Sequence, residues 1–335
     1  MKVLLTGGAG FIGSHTAVEL INNGYEPIII DDFRNSKPFI LKNIEKIVGQ
    51  KVVLHRTDYG NIQKLKAIFK EHNPVGIIHF AADKAVNESV KNPLKYYQNN
   101  IANLINLLEV TNEFEINSFV FSSSCTVYGT PKNVPVNEKN KVQHAFSPYG
   151  YTKQVGEKIL TDFFHTKPKT TLTLLRYFNP IGAHPSALIG ELPLGVPSNL
   201  VPFITQSAIG KIGPLTIHGS DYATIDGTCI RDYLHVVDLA TAHVLSLNNQ
   251  SKEAKFYNVG LGRGSSVLEV VKVFEKVNNL KLKFQFGKRR KGDIPEIYAD
   301  TSLIKKELKW NPIYNLEDCL KHAWKWQKNL STFKY

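Results

Sequence analysis

Tyr149 and Lys153 lie four residues apart in a segment that opens with Ser147 and Pro148. A serine can cap a helix and a proline suits its first turn, so the pair shares one helix face. A free tyrosine, with a pKa of ~10, is a poor base at neutral pH, but a nearby ammonium favours its phenolate. The spacing therefore predicts a base that takes an alcohol's proton while its carbon is oxidised. Tyr151 competes for this role, although no lysine follows it four positions on.

The stretch GGAGFIG lies between a short apolar run and a helix-like segment near the start of the chain. Gly8, Gly10 and Gly13 satisfy the pattern GxGxxG, and Gly7, Gly10 and Gly13 satisfy GxxGxxG. Glycine permits a tight turn and close approach of the backbone to a pyrophosphate, while the following helix offers free N–H groups and a positive dipole end. The pattern alone is weak, but its place before a helix predicts a dinucleotide-binding loop.

Asp31 ends the next predicted strand, about 20 positions past Gly13, where a carboxylate can accept hydrogen bonds from the adenosine ribose. Asp31 and Asp32 together would repel a 2′-phosphate, which favours NAD over NADP. Arg34 is the counter-argument, because an arginine at this place can hold that phosphate. With NAD bound, the positive nicotinamide ring would also favour the phenolate of Tyr149.

Three consecutive serines, Ser122, Ser123 and Ser124, end the predicted strand before the helix of Tyr149. A hydroxyl at the carboxyl end of a sheet can hydrogen-bond both a reacting oxygen and the tyrosine. We assign this role to Ser124. A polar residue that only ends the strand is the alternative for each of the three.

The first half of the chain alternates between short apolar strands and helix-like segments, the longest being 94–114 and 148–165. The predicted strands are at 3–6, 27–30, 52–54, 75–80, 119–121 and 172–175. Continuous apolar strands are buried on both faces, which indicates a parallel sheet covered by helices. The predicted fold is therefore α/β, a doubly wound Rossmann sheet with its ligand beyond the carboxyl ends of the strands.

Beyond about residue 180 the sequence becomes richer in Gly, Pro, Asn and Asp. We expect residues 1–179 to form an NAD-binding Rossmann domain and residues 180–335 a smaller, loop-rich domain that covers the carboxyl edge of the sheet. The boundary is soft, since a strand at 254–259 could return to the first domain. Residues 266–280 and 302–309 are expected to be helical.

Composition restricts the class of protein further. With 42% hydrophobic and 21% charged residues, the chain has the values of an ordinary globular protein. Its net charge of +12 is spread along the chain apart from the run 288–291, so we expect anionic metabolites rather than nucleic acid as partners. Cys125, Cys229 and Cys319 show neither disulfide nor metal-site spacing, and no apolar run reaches the ~18 residues of a membrane span. We therefore expect a cytoplasmic protein with no metal site and no membrane association.

These motifs together resemble the extended short-chain dehydrogenase/reductases, and among them the enzymes that invert C4 of UDP-hexoses. The similarity extends over nearly the whole chain. It is carried by residues 7–13, 80–86 (FAADKAV), 96–100 (YYQNN), 122–129 (SSSCTVYG), 147–153, 175–184 (LRYFNPIGAH), 198–200, 226–235 (DGTCIRDYLH) and 292–300 (GDIPEIYAD). The later segments separate this group from its relatives, because they lie in the predicted substrate region.

The resemblance implies a role for each matching residue. Tyr149, Lys153 and Ser124 would be catalytic, with Tyr149 the acid/base. The residues implied to contact NAD are Gly7, Gly10, Phe11, Ile12, Gly13, Asp31, Asp32, Asn35, Ser36, Asp58, Tyr59, Phe80, Ala81, Ala82, Lys84, Asn99, Ser122, Ser124, Tyr149, Lys153, Tyr177 and Phe178. Those implied to contact a UDP-sugar are Lys84, Ser124, Tyr149, Asn179, Asn199, Leu200, Thr216, His218, Arg231, Tyr233, Arg290, Asp293 and Ile297. For Arg231 alone, a structural ion pair with Asp232 is the alternative.

The activity implied is the interconversion of UDP-glucose and UDP-galactose through a 4-keto sugar, with retained NAD taking and returning hydride. The UDP part would stay anchored while the hexose turns over, so the protein must grip the nucleotide tightly and the sugar loosely. Family members are commonly homodimers that pair two helices per subunit, here the helices at 94–114 and 148–165. Galactose metabolism and supply of UDP-galactose for glycans are the implied context.

Four positions depart from the family pattern. His218 stands where an aromatic ring often faces the uracil, and Ala82 and Asp83 replace a commoner Gly-Leu pair near the nicotinamide. Ile297 aligns with the position whose bulk affects acceptance of N-acetylated sugars, and isoleucine is neither small nor as large as tyrosine. Turnover of UDP-GlcNAc therefore stays open.

Four other functions share parts of this pattern. A sugar-nucleotide 4,6-dehydratase or a UDP-glucuronate decarboxylase would need a carboxylate just after Ser124, where Cys125 and Thr126 stand. A 4-epimerase of another UDP-sugar, UDP-GlcNAc or UDP-glucuronate, is the nearest alternative. A non-catalytic NAD-binding protein is disfavoured because both Tyr149 and Lys153 are present.

Overall fold

Short apolar runs form the strands of the computed structural model, which describes residues 1–290, 292–330 and 332–333. The strands are β1 (Lys2–Thr6), β2 (Glu26–Asp31), β3 (Val53–Arg56), β4 (Gly76–His79), β5 (Ser118–Ser124), β6 (Thr171–Tyr177), β7 (Asn179–Ile181), β8 (Leu215–His218), β9 (Ile230–Arg231), β10 (Tyr233–His235), β11 (Lys255–Val259), β12 (Ser265–Ser266), β13 (Phe284–Gly287) and β14 (Glu296–Ile297).

The central sheet has seven strands in the order β11-β6-β5-β4-β1-β2-β3, and all neighbours are parallel. The strand order reverses between β1 and β4, so the loops that follow these two strands diverge at the carboxyl edge. The predicted doubly wound parallel sheet is confirmed, and its switch point lies beside the glycine loop.

Helices cover both faces of this sheet. They are α1 (Phe11–Asn22), α2 (Phe39–Val48), α3 (Ile62–His72), α4 (Val86–Lys91), α5 (Pro93–Tyr97), α6 (Asn103–Asn112), α7 (Pro148–His165), α8 (Leu200–Ala208), α9 (Val236–Ser246), α10 (Val267–Asn278), α11 (Ser302–Leu308) and α12 (Leu316–Leu330). Ser147 caps α7, its hydroxyl accepting a hydrogen bond from Gly150 N at 3.1 Å, as the sequence predicted.

The predicted helix at 94–114 is divided into three parts. A π-helical turn at Gln98–Ala102 separates α5 from α6. Within it, the buried side chain of Asn100 donates to Asp83 O at 2.9 Å and to Thr152 Oγ1 at 3.1 Å. Such turns occur mostly at functional sites, and this one ties the loop after β4 to α7.

The later part of the chain forms three small sheets, β10-β7, β12-β9-β14 and β13-β8, beside a separate apolar core. That core packs α8, α10 and α12 together through residues such as Ile204, Phe274 and Leu320. β11 pairs with β6, so this late strand returns to the central sheet, as the sequence analysis allowed. In the described residues, no helix combines the length and apolar character needed to cross a bilayer.

Candidate active site

The glycine loop is fixed by its own backbone. Gly7 N donates to Ile30 O at 2.8 Å, and Gly10 N donates to Gly7 O at 3.1 Å. Gly7 has a φ of 71°, which favours glycine. A Cβ on Gly13 would collide with the carbonyl oxygen of Gly7, and one on Gly7 would lie 2.9 Å from Ala81 N. The loop after β1 therefore packs directly against the chain that follows β4.

The loop leads straight into the N-terminus of α1. Ser14 N donates to Gly10 O at 2.9 Å and closes the first helical turn. The N–H groups of Phe11, Ile12 and Gly13 precede that bond, so they have no carbonyl partner within the helix. Gly10, the capping residue, has no side chain to cover them. This end of α1 is thus shaped for a phosphate group.

Asp31, at the end of β2, is a buried carboxylate that organises the neighbouring loops. Its Oδ2 accepts from Ala9 N at 3.0 Å, and its Oδ1 accepts from Phe33 N at 2.9 Å and from Ser36 Oγ at 2.8 Å. Burial raises its pKa, and these hydrogen bonds oppose that shift. A carboxylate has about four acceptor positions, so it retains capacity for a ribose hydroxyl.

Arg34 is held by partners on three segments. Its Nε donates to Asp32 Oδ2 at 2.5 Å, a second nitrogen donates to Asp58, and a third donates to Asn99 Oδ1 at 3.1 Å. The guanidinium is therefore already paired with two carboxylates. It is not free for a 2′-phosphate, and the surrounding acidic groups would repel one.

The carboxyl end of β5 and the first turn of α7 bring the predicted catalytic side chains together. The Ser124 side chain lies close enough to the phenol of Tyr149 to lower its pKa, and the Ser124 Oγ accepts a hydrogen bond from Thr126 N at 3.3 Å. Lys153 Nζ lies 6.0 Å from the centroid of the Tyr149 ring and donates to Ser122 O at 2.7 Å. Tyr151 is 48% exposed on the outer face of α7, which excludes it from this cluster. The choice of Tyr149 over Tyr151 is therefore supported by position.

Burial is the largest influence on the pKa values of this cluster in the chain alone. Burial raises the pKa of Tyr149 to about 12, and burial lowers the pKa of Lys153 to about 8. The predicted lowering of the Tyr149 pKa depends on Lys153 together with a bound nicotinamide ring, so it stays a prediction. In the chain alone, the Lys153 ammonium is turned towards the Ser122 carbonyl, and the nearby Ser124 side chain is the group that lowers the Tyr149 pKa against the larger effect of burial. A further positive charge near the ring would be needed to favour the phenolate.

A second layer of polar side chains holds the end of β5 in place. Ser123 Oγ donates to Glu157 Oε1 at 2.6 Å, and Glu157 pairs with Arg176 at 2.6 Å in a buried, two-pronged ion pair. The Ser122 and Tyr177 hydroxyls hydrogen-bond to each other beside it. The three serines thus have different surroundings, and Ser124 is the one beside the Tyr149 phenol.

Lys84, in the loop after β4, and Asn199, just before α8, share one carboxylate. Lys84 Nζ lies 3.4 Å from Glu191 Oε1, and Asn199 Nδ2 donates to the same oxygen at 2.7 Å. Glu191 itself is nearly buried, with 11% of its side chain exposed. Sequence reasoning missed it, because it stands in an irregular loop with no motif of its own.

Arg231, on β9, lies near Cys125, the residue that follows Ser124. Its NH2 group lies 3.9 Å from Asp293 Oδ1, and its charge is close enough to Cys125 to lower that thiol's pKa against the larger effect of burial. Asp232 instead accepts from the backbone of Leu261, 2.7 Å away, and from two further N–H groups. The structural pairing of Arg231 with Asp232 is therefore excluded, and Arg231 and Asp293, which are both predicted to contact the UDP part, are neighbours.

The remaining predicted residues fall into two groups. Tyr59, Phe80, Ala81 and Ala82 line the strand and loop positions near the glycine loop, with the Tyr59 hydroxyl donating to Asn99 O, while Asn35 is exposed beside Arg34 and Ser36. Phe178 and Ile297 are buried in one apolar cluster against Cys125, and Tyr233 is buried in the core around α12. Asn179 and Leu200 are partly buried. Thr216 and His218 lie on β8, and Arg290 is exposed. Their contacts with a cofactor or sugar stay predictions.

Comparison with known proteins gives the family. A family model described as GDP-mannose 4,6 dehydratase matches residues 4–323. A UDP-glucose 4-epimerase of Haemophilus influenzae is 47% identical over 98% of this chain and 98% of its own length. One from Bacillus subtilis is 44% identical over 100% of this chain and 99% of its own.

Solved structures agree with these relatives. The Stenotrophomonas maltophila UDP-glucose 4-epimerase, with bound NAD and formylated UDP-arabinopyranose, has a TM-score of 0.96 at 43% identity and covers 99% of both chains. The Bifidobacterium longum enzyme, in complex with NAD+ and UDP, has a TM-score of 0.95 at 43% identity, covering 99% of this chain and 100% of its own. The dehydratase model spans the wider group, but Cys125 and Thr126 supply no carboxylate after Ser124. The chain belongs to the UDP-glucose 4-epimerase family of the extended short-chain dehydrogenase/reductases.

Proposed function

We propose that this chain interconverts UDP-glucose and UDP-galactose at C4, using a tightly held NAD. The observation that carries the proposal is the Ser124–Tyr149–Lys153 cluster at the carboxyl edge of the sheet, next to the glycine loop. It stands in a chain that is 47% identical to a UDP-glucose 4-epimerase over nearly its whole length.

The residues around the glycine loop fit NAD. The uncovered N–H groups at the start of α1 would bind the pyrophosphate, and Asp31 would accept from the adenosine ribose. The paired Arg34 and the carboxylates of Asp32 and Asp58 disfavour a 2′-phosphate. When bound, NAD supplies the chemistry of taking hydride from C4 and returning it to the opposite face of the sugar.

The chain's own residues would manage the proton and the orientation. Tyr149 takes the proton of the C4 hydroxyl and returns it after the 4-keto sugar has turned, while Ser124 hydrogen-bonds the reacting oxygen. Lys153 fixes the end of β5 through the Ser122 carbonyl and adds positive charge beside the phenol. Arg231 and Arg290 would hold the diphosphate, because a guanidinium pairs with two oxygens at once.

The test is incubation of the purified protein with UDP-galactose, without added NAD, followed by identification of the product by NMR. We expect UDP-glucose in equilibrium with the substrate. Loss of the C6 oxygen would indicate a dehydratase and loss of CO2 from UDP-glucuronate a decarboxylase. No turnover by protein that retains NAD would contradict the proposal.

Further parts of the proposal concern organisation and context. Residues 1–179 would hold NAD and residues 180–335 the UDP-sugar, with β11 shared by the first sheet. We also propose a homodimer that pairs the helices of 94–114 and 148–165. Chemical crosslinking and analytical ultracentrifugation, which measure the mass of the assembly, would test it. A role in galactose metabolism, and a location in the cytoplasm where the free Cys125, Cys229 and Cys319 would stay reduced, complete the proposal.

A further inference from the structure

Two histidines from neighbouring elements meet at the outer edge of the central sheet, and neither of them is a predicted site residue. His55 lies on β3, the edge strand, and His72 is the last residue of α3. Their Nε2 atoms are 2.8 Å apart. Seventeen positions of sequence separate them, and their approach follows from the fold rather than from local spacing.

The strand alternation explains why the two rings converge. Val53 packs with the apolar residues of α3, whereas Leu54 packs on the opposite face of the sheet. Because successive side chains of a strand point to opposite faces, His55 is on the same face as Val53 and points towards α3. There the buried ring of His72 meets it in an edge-to-face arrangement, with centroids 5.0 Å apart.

A carboxylate completes the group. Glu71 Oε1 lies 3.3 Å from His72 Nε2, and one ligand atom of each of the three residues lies within 4.8 Å of the others. The Glu71 side chain is 62% exposed, so it can adjust its position at little cost, while His72 is held by burial. Two imidazoles and one carboxylate, with one side open to water, form a ligand set that Zn²⁺ accepts.

We propose that His55, Glu71 and His72 bind one divalent transition-metal ion, with Zn²⁺ the metal of choice. Zn–N bonds of ~2.0–2.1 Å at a tetrahedral angle place two ligand nitrogens ~3.3 Å apart, so the two rings need to separate by about 0.5 Å. Both imidazoles then carry their proton on Nδ1, and the N–H now shared between the Nε2 atoms moves to Nδ1 of its own ring. The bound metal links the edge strand to α3.

The sequence predicts no metal site, because no Cys/His spacing in the chain suggests one. The three ligands lie on a strand and on the far end of the next helix, a separation that matches no short motif. Binding here is independent of the proposed epimerase activity, so failure of either proposal leaves the other standing.

The experiment uses the full chain with its cofactor, treated with EDTA and desalted, and titrated with ZnCl₂ against a chromophoric chelator. We expect one tight equivalent, and a weakening of at least ~10-fold in His55→Gln and in Glu71→Gln, each of which loses a ligand. Glu71→Gln is exposed and will fold, so it keeps the test decisive if a histidine variant does not. The exposed His144→Gln is the matched control and should bind as the original chain does.

Co²⁺ in place of Zn²⁺ gives a second readout. We expect a visible spectrum of a nitrogen and oxygen site, without the charge-transfer band of a thiolate, and its loss in His55→Gln. Zn²⁺ should also raise the unfolding temperature of the original chain but not of Glu71→Gln. The proposal is overturned if no equivalent binds, if the variants keep the original affinity, or if the cobalt spectrum shows a cysteine ligand.

Discussion

Around the glycine loop and Asp31, the proposed dinucleotide side of the site, backbone hydrogen bonds and buried side chains fix the geometry. Around Lys84 and Arg231, the proposed sugar side, charged and polar side chains hold one another. The glycine loop and Asp31 are tied by bonds that any ligand would leave in place. Lys84 and Asn199 instead share Glu191, and Arg231 faces Asp293. The difference fits the proposed function, in which the cofactor stays through every turnover and a nucleotide sugar leaves each time.

The largest expected effect comes from the point where the two sides meet. Tyr149→Phe removes the acid/base while leaving the ring, so turnover should fall by ~10²–10⁴-fold. Bound NAD should be unchanged, because the dinucleotide side stays intact. The matched control is Tyr151→Phe on the exposed face of α7, which should keep the original rate. Full turnover by Tyr149→Phe would remove the assigned role.

A second variant tests how rigid the dinucleotide side is. Gly13→Ala drives a Cβ into the carbonyl of Gly7, a backbone atom that cannot move aside. Overpacking of this kind costs ~1–3 kcal/mol, so the NAD content of the purified protein should fall ~10-fold or more. Gly213→Ala, which meets no atom within 4 Å, is the control. Equal NAD content in both variants would show that the loop adapts.

Buried histidines behind the dinucleotide side predict a loss of stability in acid. Burial lowers the pKa of His15 and of His79 to about 3, below the value near 6.5 of the unfolded chain. These histidines oppose folding least above pH ~6.5, where they are neutral in both states. As the pH falls below this value, the unfolded chain takes up protons that the folded chain does not, and stability is lost. Between pH 7.5 and pH 5.5 each should cost ~1.4 kcal/mol of unfolding free energy.

Urea unfolding of the original chain and of His15→Gln at both pH values measures this effect. Burial raises the pKa values of Asp232 and Asp238 to about 6, so their protonation stabilises the folded chain as the pH falls. Both proteins contain these two residues, so the comparison between them cancels this opposite contribution. We expect the variant to lose less stability on acidification, while the exposed His165→Gln loses as much as the original chain. An equal loss in His15→Gln would show that His15 accepts a proton in the folded protein.

The smallest effect should be on the sugar side. Glu191→Gln removes a negative charge from the partner of Lys84 and Asn199, so both become available to an anionic ligand. Because Lys84 is half-exposed, its ion pair with Glu191 is worth ~0–1 kcal/mol, and the KM for UDP-galactose should fall by up to ~5-fold, more at low salt. Glu317→Gln, which breaks the exposed pair with Lys276, is the control. A higher KM in Glu191→Gln would mean that Glu191 positions the binding residues instead.

The dinucleotide side could be predicted from the sequence because its signals are local. The glycine pattern, the capped start of α7 and the spacing of Tyr149 and Lys153 each depend on fewer than about ten consecutive residues. The short apolar strands predicted the parallel sheet for the same reason. The sequence also allowed a strand near residue 255 to return to the first domain, and β11 pairs with β6.

What the sequence did not predict depends on distant contacts. The direction in which Lys153 Nζ points, and hence the pKa of Tyr149, is decided by the Ser122 carbonyl and by burial. The carboxylate of Glu191 and the meeting of His55 with His72 arise only when the chain is folded. The π-helical turn depends on Asn100 reaching two other segments.

The account depends on hydride leaving C4 and returning to the same carbon while only the hydroxyl proton reaches solvent. Incubation of the protein with UDP-galactose deuterated at C4, in ordinary water and without added NAD, tests this directly. We predict UDP-glucose that keeps its deuterium at C4, as read by NMR. Product with hydrogen from water at C4 would contradict the account.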